Sequence, residues 1–161
     1  MISQEWTLYW HHCFKTTFLN LLVRVHQQMK EDPDNFDQHP SYKLYQSIKS
    51  TISDRILPIP NGDEFRLGKT FRVKTMTHWR RAKHGLPNRY RLFFQFNSVE
   101  KGILLAWIND DTTLRKSGSK TDVYNVFKQM VKKGDIPNSY AECKAVCSPA
   151  DSSALNKDKP A

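Results

Sequence analysis

The sequence predicts an α+β domain: a helical hairpin packed on a small antiparallel sheet, followed by a further helix. Three observations predict it. Apolar residues recur at three- and four-residue spacing over two stretches of the N-terminal third, short strand-like segments separated by turn residues fill the middle, and another helical stripe begins at Val123. With 161 residues, 39% of them hydrophobic and 12% aromatic, the chain is long and apolar enough to bury one core.

Trp6 to Trp10 alternates aromatic and β-prone residues and reads as a first strand. Phe14, Phe18, Leu21, Leu22, Val25 and Met29 then form one face of a helix that ends before Asp32-Pro33. Leu44, Ile48, Ile52 and Ile56 repeat every fourth residue, and Pro58 and Pro60 stop that run. The polar connection between the two runs is short, so the helices should pair as an antiparallel hairpin.

Beyond the Asn61-Gly62 turn, His78 to Lys83 reads as a strand with Trp79, Arg81 and Lys83 on one face and Arg80 and Ala82 on the other. In Arg89 to Phe96 the alternation sets Arg89, Arg91 and Phe93 against Tyr90, Leu92, Phe94 and Phe96, the latter on the core face. Ile103 to Ile108 is apolar on both faces and should be a central strand. Short loops between these strands favour an antiparallel meander. Thr121 is a plausible N-cap for a last helix whose buried stripe is Val123, Phe127, Met130 and Val131, ended by Gly134. Residues 1–140 are expected to form the domain and 141–161 a disordered tail, since the stretch from Ser148 is rich in Ser, Ala, Asp, Lys and Pro and holds one large apolar residue, Leu155.

The charge is uneven. The chain carries 25 basic and 16 acidic residues, and nine of the basic ones fall between Phe65 and Val99 with no Asp or Glu among them: Arg66, Lys69, Arg72, Lys74, Arg80, Arg81, Lys83, Arg89 and Arg91. That window holds the whole excess of +9. Aromatic residues interleave with it, as in a sheet with one apolar and one basic face, and such a face suits phosphates. The bland alternative is a solvated face, but a solubilising surface normally mixes both signs. No uncharged apolar stretch is long enough to span a membrane, so no membrane partner and a cytoplasmic location are expected. Three cysteines do not make a disulfide framework. His11, His12 and Cys13 are adjacent, so their side chains should diverge, and no second ligand pair stands at zinc spacing; no metal and no cofactor are expected.

A basic face can hold a nucleic-acid backbone, and it can also cleave RNA. Attack of a ribose 2′-hydroxyl on its neighbouring phosphate needs a base, positive charge on the developing phosphorane and an acid for the leaving 5′-oxygen; guanidinium and ammonium groups supply the charge without a metal. His84 and His78 are the conventional acid-base candidates, though a surface histidine is more often idle. Tyr124 stands at the margin of the last helix's apolar stripe, where its hydroxyl either reaches the sheet or simply stays wet. Arg115 and Lys120 lie in the loop before that helix.

The runs Trp79-Arg-Arg-Ala-Lys83, Arg89-Tyr-Arg-Leu-Phe-Phe94, Ile103-Leu-Leu-Ala-Trp-Ile-Asn-Asp110, Thr113-Leu-Arg115 and Lys120-Thr-Asp-Val-Tyr-Asn-Val-Phe127 resemble the YhaV toxins of PrlF-YhaV type II toxin-antitoxin systems, within the RelE/ParE superfamily. The resemblance covers about Trp6 to Gly134. It implies a RelE-like fold and a metal-independent mRNA endoribonuclease that acts on translating ribosomes, held inactive by a PrlF-like antitoxin whose complex with the toxin binds promoter DNA. It also implies catalytic roles for Arg81, Lys83, Arg91, Arg115 and Tyr124; among the other residues of the basic stretch and of the loop before the last helix, Lys69, Arg80, His84, Arg89 and Lys120 are expected to bind RNA. Arg115 and Lys120 compete for one loop role. Relatives of the ParE type share the fold and target gyrase instead, so a non-catalytic toxin or binding module on the same face is the alternative.

Overall fold

The computed structural model describes residues 5–68 and 73–156. It is an α+β fold built on a five-stranded mixed sheet in which the strands Arg80–Ala82, Leu92–Asn97, Gly102–Ile108, Thr7–Trp10 and Ser148–Pro149 lie side by side in that order. The first half runs β1 (Thr7–Trp10), α1 (His12–Glu31) and α2 (Pro40–Thr51), the last continued by a π-helical turn at Ile52–Ile56. Strands β2 (Arg80–Ala82), β3 (Leu92–Asn97) and β4 (Gly102–Ile108) follow, then α3 (Val123–Lys132).

β2, β3 and β4 form the expected antiparallel meander, but β1 lies parallel to β4, with Thr7 opposite Gly102 and Trp10 opposite Leu105. The sheet is therefore mixed, not antiparallel. Loop length constrained only strands that follow one another closely, and β1 is separated from the others by two helices and a long connection, which leave either direction open.

β4 is buried along its whole length, as a central strand with apolar residues on both faces should be. On one side, Phe14, Phe18, Leu21 and Val25 of α1 and Tyr45 and Ile48 of α2 cover Leu92, Phe94, Ile103 and Leu105. Phe18 stacks on Tyr45 with ring centroids 5.5 Å apart, which joins the two helices. On the other side, Val123, Tyr124, Phe127 and Val131 of α3 cover Phe93, Leu104, Ala106 and Trp107. A register shift after Phe93 turns Ala106 and Trp107 toward the same helix, so that Phe93 and Trp107 both stack on Phe127, at 4.0 and 6.1 Å.

The Arg91 and Phe93 face of β3 was expected to be basic and open, yet α3 covers it: Phe93 is fully buried and Arg81 only 8% exposed. A sheet with both faces apolar along its central strand has to be covered twice, and α3 is the amphipathic element left to do it. The N-cap of α3 is Asp122, not Thr121; its carboxylate accepts from the Tyr124 backbone N–H.

The expected disordered tail is a second departure. Residues 141–156 continue through α4 (Tyr140–Val146), β5 (Ser148–Pro149) and α5 (Ser152–Leu155), and β5 pairs antiparallel with β1. Ser139 and Asp151 cap the two helices. Cys143 is fully buried beside α3, and Leu155, 3% exposed, enters the core on the other side of the sheet. Two apolar anchors and two caps hold this polar segment down, which its composition did not signal.

Phe94 is fully buried, and its ring meets Phe65 edge-on at 5.3 Å. Phe94→Ala should therefore cost about 3–5 kcal/mol. Thermal unfolding checks this; a midpoint equal to that of the wild type would mean that the α1–α2 side of the sheet is not the main core.

Candidate active site

The site is built where β2, β3 and α3 meet. Strand alternation turns Arg81 of β2 toward α3, on the same side as its partner Phe93. Arg91 precedes β3 by one residue. The first turn of α3, fixed by its Asp122 cap, delivers Tyr124 between them. The Tyr124 hydroxyl accepts from Arg81 Nε at 2.9 Å and from Arg91 Nε at 3.1 Å. Both lone pairs are thus engaged, so the phenolic proton is directed away from the two arginines.

Each guanidinium is anchored again. Arg81 donates from Nη1 to the Glu64 carbonyl at 2.8 Å, and Arg91 from Nη1 to the Tyr90 carbonyl at 2.8 Å. Arg115 lies over the Tyr124 ring, 4.9 Å from its centroid, and donates to the Asp122 carboxylate at 2.7 Å. Three cations therefore surround one phenol. Lys120 is exposed on the preceding turn, so of the two loop cations it is Arg115 that stands against Tyr124.

Two residues that composition did not single out hold this arrangement. Asp122, 4% exposed, accepts from Arg115 and from the Lys116 and Tyr124 backbone N–H groups, so one carboxylate places the loop cation and starts the helix. Asn109, 1% exposed, accepts from the Arg91 N–H at 2.8 Å and donates to the Arg89 and Thr113 carbonyls. It clamps the segment before β3 to the loop after β4. A sequence signal existed for Asp122, because aspartate caps helices better than threonine. For Asn109 there was none.

Other residues named from the sequence fall elsewhere. Lys83 stands one residue past β2, half-buried, and His84 is exposed in the turn that follows. Arg89 is exposed with φ at +74°, a turn conformation, and does not share a strand face with Arg91. Arg80 lies on the opposite side of β2 from Arg81, over the Phe96 ring at 5.5 Å. Lys69 lies outside the described residues. Lys83, His84, Arg89 and Lys120 take no part in the hydrogen bonds described around the Tyr124 hydroxyl.

His11, His12 and Cys13 do converge, contrary to expectation, with their ligand atoms within 4.8 Å of one another. The chain passes there from strand to helix, which folds adjacent side chains together, and the two imidazole centroids lie 4.3 Å apart. Yet His11 Nδ1 accepts the Cys13 backbone N–H at 3.1 Å as the cap of α1, which leaves the proton on Nε2. A metal bound through His11 would have to break that cap or displace that proton.

The chain belongs to the family of YhaV toxins, whose description is toxin with endonuclease activity, of toxin-antitoxin system, and which matches residues 8–147. It is 39% identical over 132 residues to the ribonuclease toxin YhaV of Escherichia coli strain K12, an alignment that covers 82% of this chain and 85% of that one. The toxin YhaV of Escherichia coli O157:H7 matches to the same extent. No solved structure matches the chain. Membership implies an antitoxin partner. Among the described residues, no helix is long and apolar enough to cross a membrane.

Burial and the neighbouring His12 push the His11 imidazole down to about 4. An unfolded histidine titrates near 6.5, so between those values the unfolded chain binds the extra proton. Stability should then be lost as pH falls from about 6.5 to about 4. His11→Asn keeps a capping oxygen and should flatten this part of the profile. Unfolding midpoints across that range check it; an equal slope in the variant would contradict the assignment.

Proposed function

We propose that this chain is a ribonuclease toxin that cuts mRNA without a metal, in the cytoplasm and on translating ribosomes, and that a PrlF-like antitoxin restrains it. The convergence of Arg81, Arg91 and Arg115 on Tyr124 carries the reading. In-line attack moves a proton from the 2′-hydroxyl to a base, forms the bond from that oxygen to phosphorus, and releases the 5′-oxygen, which takes up a proton. The products are a 2′,3′-cyclic phosphate and a 5′-hydroxyl. Negative charge grows on the phosphorane oxygens, and preorganised guanidinium groups stabilise it.

Burial divides the work. Arg81 is enclosed, with donors committed to Tyr124 and Glu64, so it acts through Tyr124 as a positioning residue. Arg91 and Arg115 are more accessible and meet the phosphate. Tyr124, its hydroxyl held by two cations, orients the phosphate and protonates the leaving oxygen. Lys83, at the rim, adds positive charge. Two guanidinium groups on the Tyr124 hydroxyl and a third over its ring meet the electrostatic demand that a metal would otherwise meet, which supports the metal-free route. The excess positive charge also suits an acidic antitoxin surface, and the complex is proposed to bind promoter DNA chiefly through the antitoxin.

Primer extension on a message incubated with purified protein, with and without translating ribosomes, tests this. New 5′-hydroxyl ends are the expected result, and in the ribosome-free arm chelator should not reduce any cleavage. Arg91→Ala should stay folded and cut roughly 10²- to 10³-fold more slowly. Binding without new ends would establish a non-catalytic module on the same face, and loss of ribosome-free cleavage in EDTA would overturn the metal-free step.

A further inference from the structure

We propose that Arg66 and Arg80 form a second phosphate subsite, on the side of β2 away from Tyr124, which takes a phosphodiester of the RNA strand flanking the one that is cut. It rests on the ribonuclease reading above and extends the substrate path over the sheet edge. Consecutive strand residues point to opposite faces, so Arg80 and Arg81 look to the two sides of the sheet. Arg80 pairs with Phe94 on one flank and, through an isolated antiparallel bridge, with Arg66 on the other.

Two guanidinium groups are thus cross-strand neighbours, an arrangement of like charges that works against pairing. With Leu67 and Thr77 they line a cleft of about 180 Å³. Among the described residues, the carboxylate that reaches them is that of Asp63, 3.3 Å from Arg66 Nε, and it is 94% exposed and weakly held. Arg80 gives Nη1 to the carbonyls of Thr77 and Trp79, both at 2.9 Å, which fixes its plane over Phe96. Its Nε is buried and has no hydrogen-bond partner among the described residues. Burial, and then the charge of Arg66, hold the Arg80 guanidinium below its ordinary range. An oxyanion in the cleft would relieve the repulsion between the two guanidinium groups.

The site adjoins the catalytic cluster along the backbone. Arg80 and Arg81 are neighbours whose Cα atoms stand about 3.8 Å apart. A strand crossing the β2 edge therefore runs from the Arg66 and Arg80 cleft on one side to the Tyr124 site, which Arg81 positions, on the other, and this favours an RNA phosphate over a carboxylate of a protein partner.

The experiment compares a long oligoribonucleotide with a dinucleoside monophosphate that holds the scissile phosphate and no flanking one. Arg66→Gln and Arg80→Gln should each raise KM on the long strand about tenfold, as expected for one charge-assisted contact. Each should also reduce the salt dependence of its binding by about 0.7 in the log-log slope. The loss on the dinucleoside monophosphate should be smaller. Arg66 is exposed, so its variant decides the matter if Arg80→Gln fails to fold, with the unfolding midpoint as the check on both. An unchanged KM and salt slope for Arg66→Gln, or equal losses on both substrates, would overturn the subsite. Weaker antitoxin binding with an unchanged KM for RNA would assign the cleft to an acidic protein instead and overturn it too. If the wild type cuts neither oligoribonucleotide but cuts a message on translating ribosomes, the salt slope of binding to the long strand decides the subsite, whereas absence of new ends in every arm removes the ribonuclease reading and this proposal with it.

Discussion

The Tyr124 hydroxyl is the point on which the site depends, because one oxygen from α3 accepts from two guanidinium groups, one on β2 and one on the residue just before β3. Hydrogen bonds to charged groups contribute about 1.5–3 kcal/mol each, and here they act between elements far apart in the chain. They offset the cost of seating Arg81 under a helix where it is only 8% exposed. The same contacts set the two arginines close together without a carboxylate between them. Positive charge is thereby concentrated, not neutralised.

The carboxylate that does enter, Asp122, is placed to the side. It binds Arg115 and caps α3, so the helix start, the loop cation and the phenol move as one unit. Asn109 does the same for the backbone of Arg91. Apolar packing beneath, with Phe93, Trp107 and Phe127 stacked face to face, keeps α3 at a fixed height above the sheet. A site on such a scaffold is preorganised, and the rate of a reaction that only needs positioning and charge depends on that.

Much of this was legible in the sequence, for reasons that differ by element. Four-residue spacing from Leu44 to Ile56 and the doubly apolar run from Ile103 to Ile108 identify a helix and a central strand, because burial on known faces leaves a periodic trace. Alternation also separated Arg80 from Arg81 correctly. It misjudged β3, since Phe93 among arginines can face either solvent or a second layer, and only α3 decides between them. The direction of β1 and the order of residues 141–156 depend on contacts with distant parts of the chain, such as Leu155 in the core and Ala150 bonded to Leu8. Local pattern carries no record of those. The turn conformation of Arg89 at φ +74° is hidden in the same way.

The claim that Tyr124 and Arg91 work as one unit is tested most directly by a double-mutant cycle. Tyr124→Phe and Arg91→Lys, singly and together, would be compared by kcat/KM for RNA cleavage. Shared contact with one phosphate predicts strong non-additivity, with the double variant little slower than the worse single one and a coupling on the order of 1–3 kcal/mol. Losses that simply add would contradict the account, since they would mean that the bond from the guanidinium to the phenol plays no part in the chemistry.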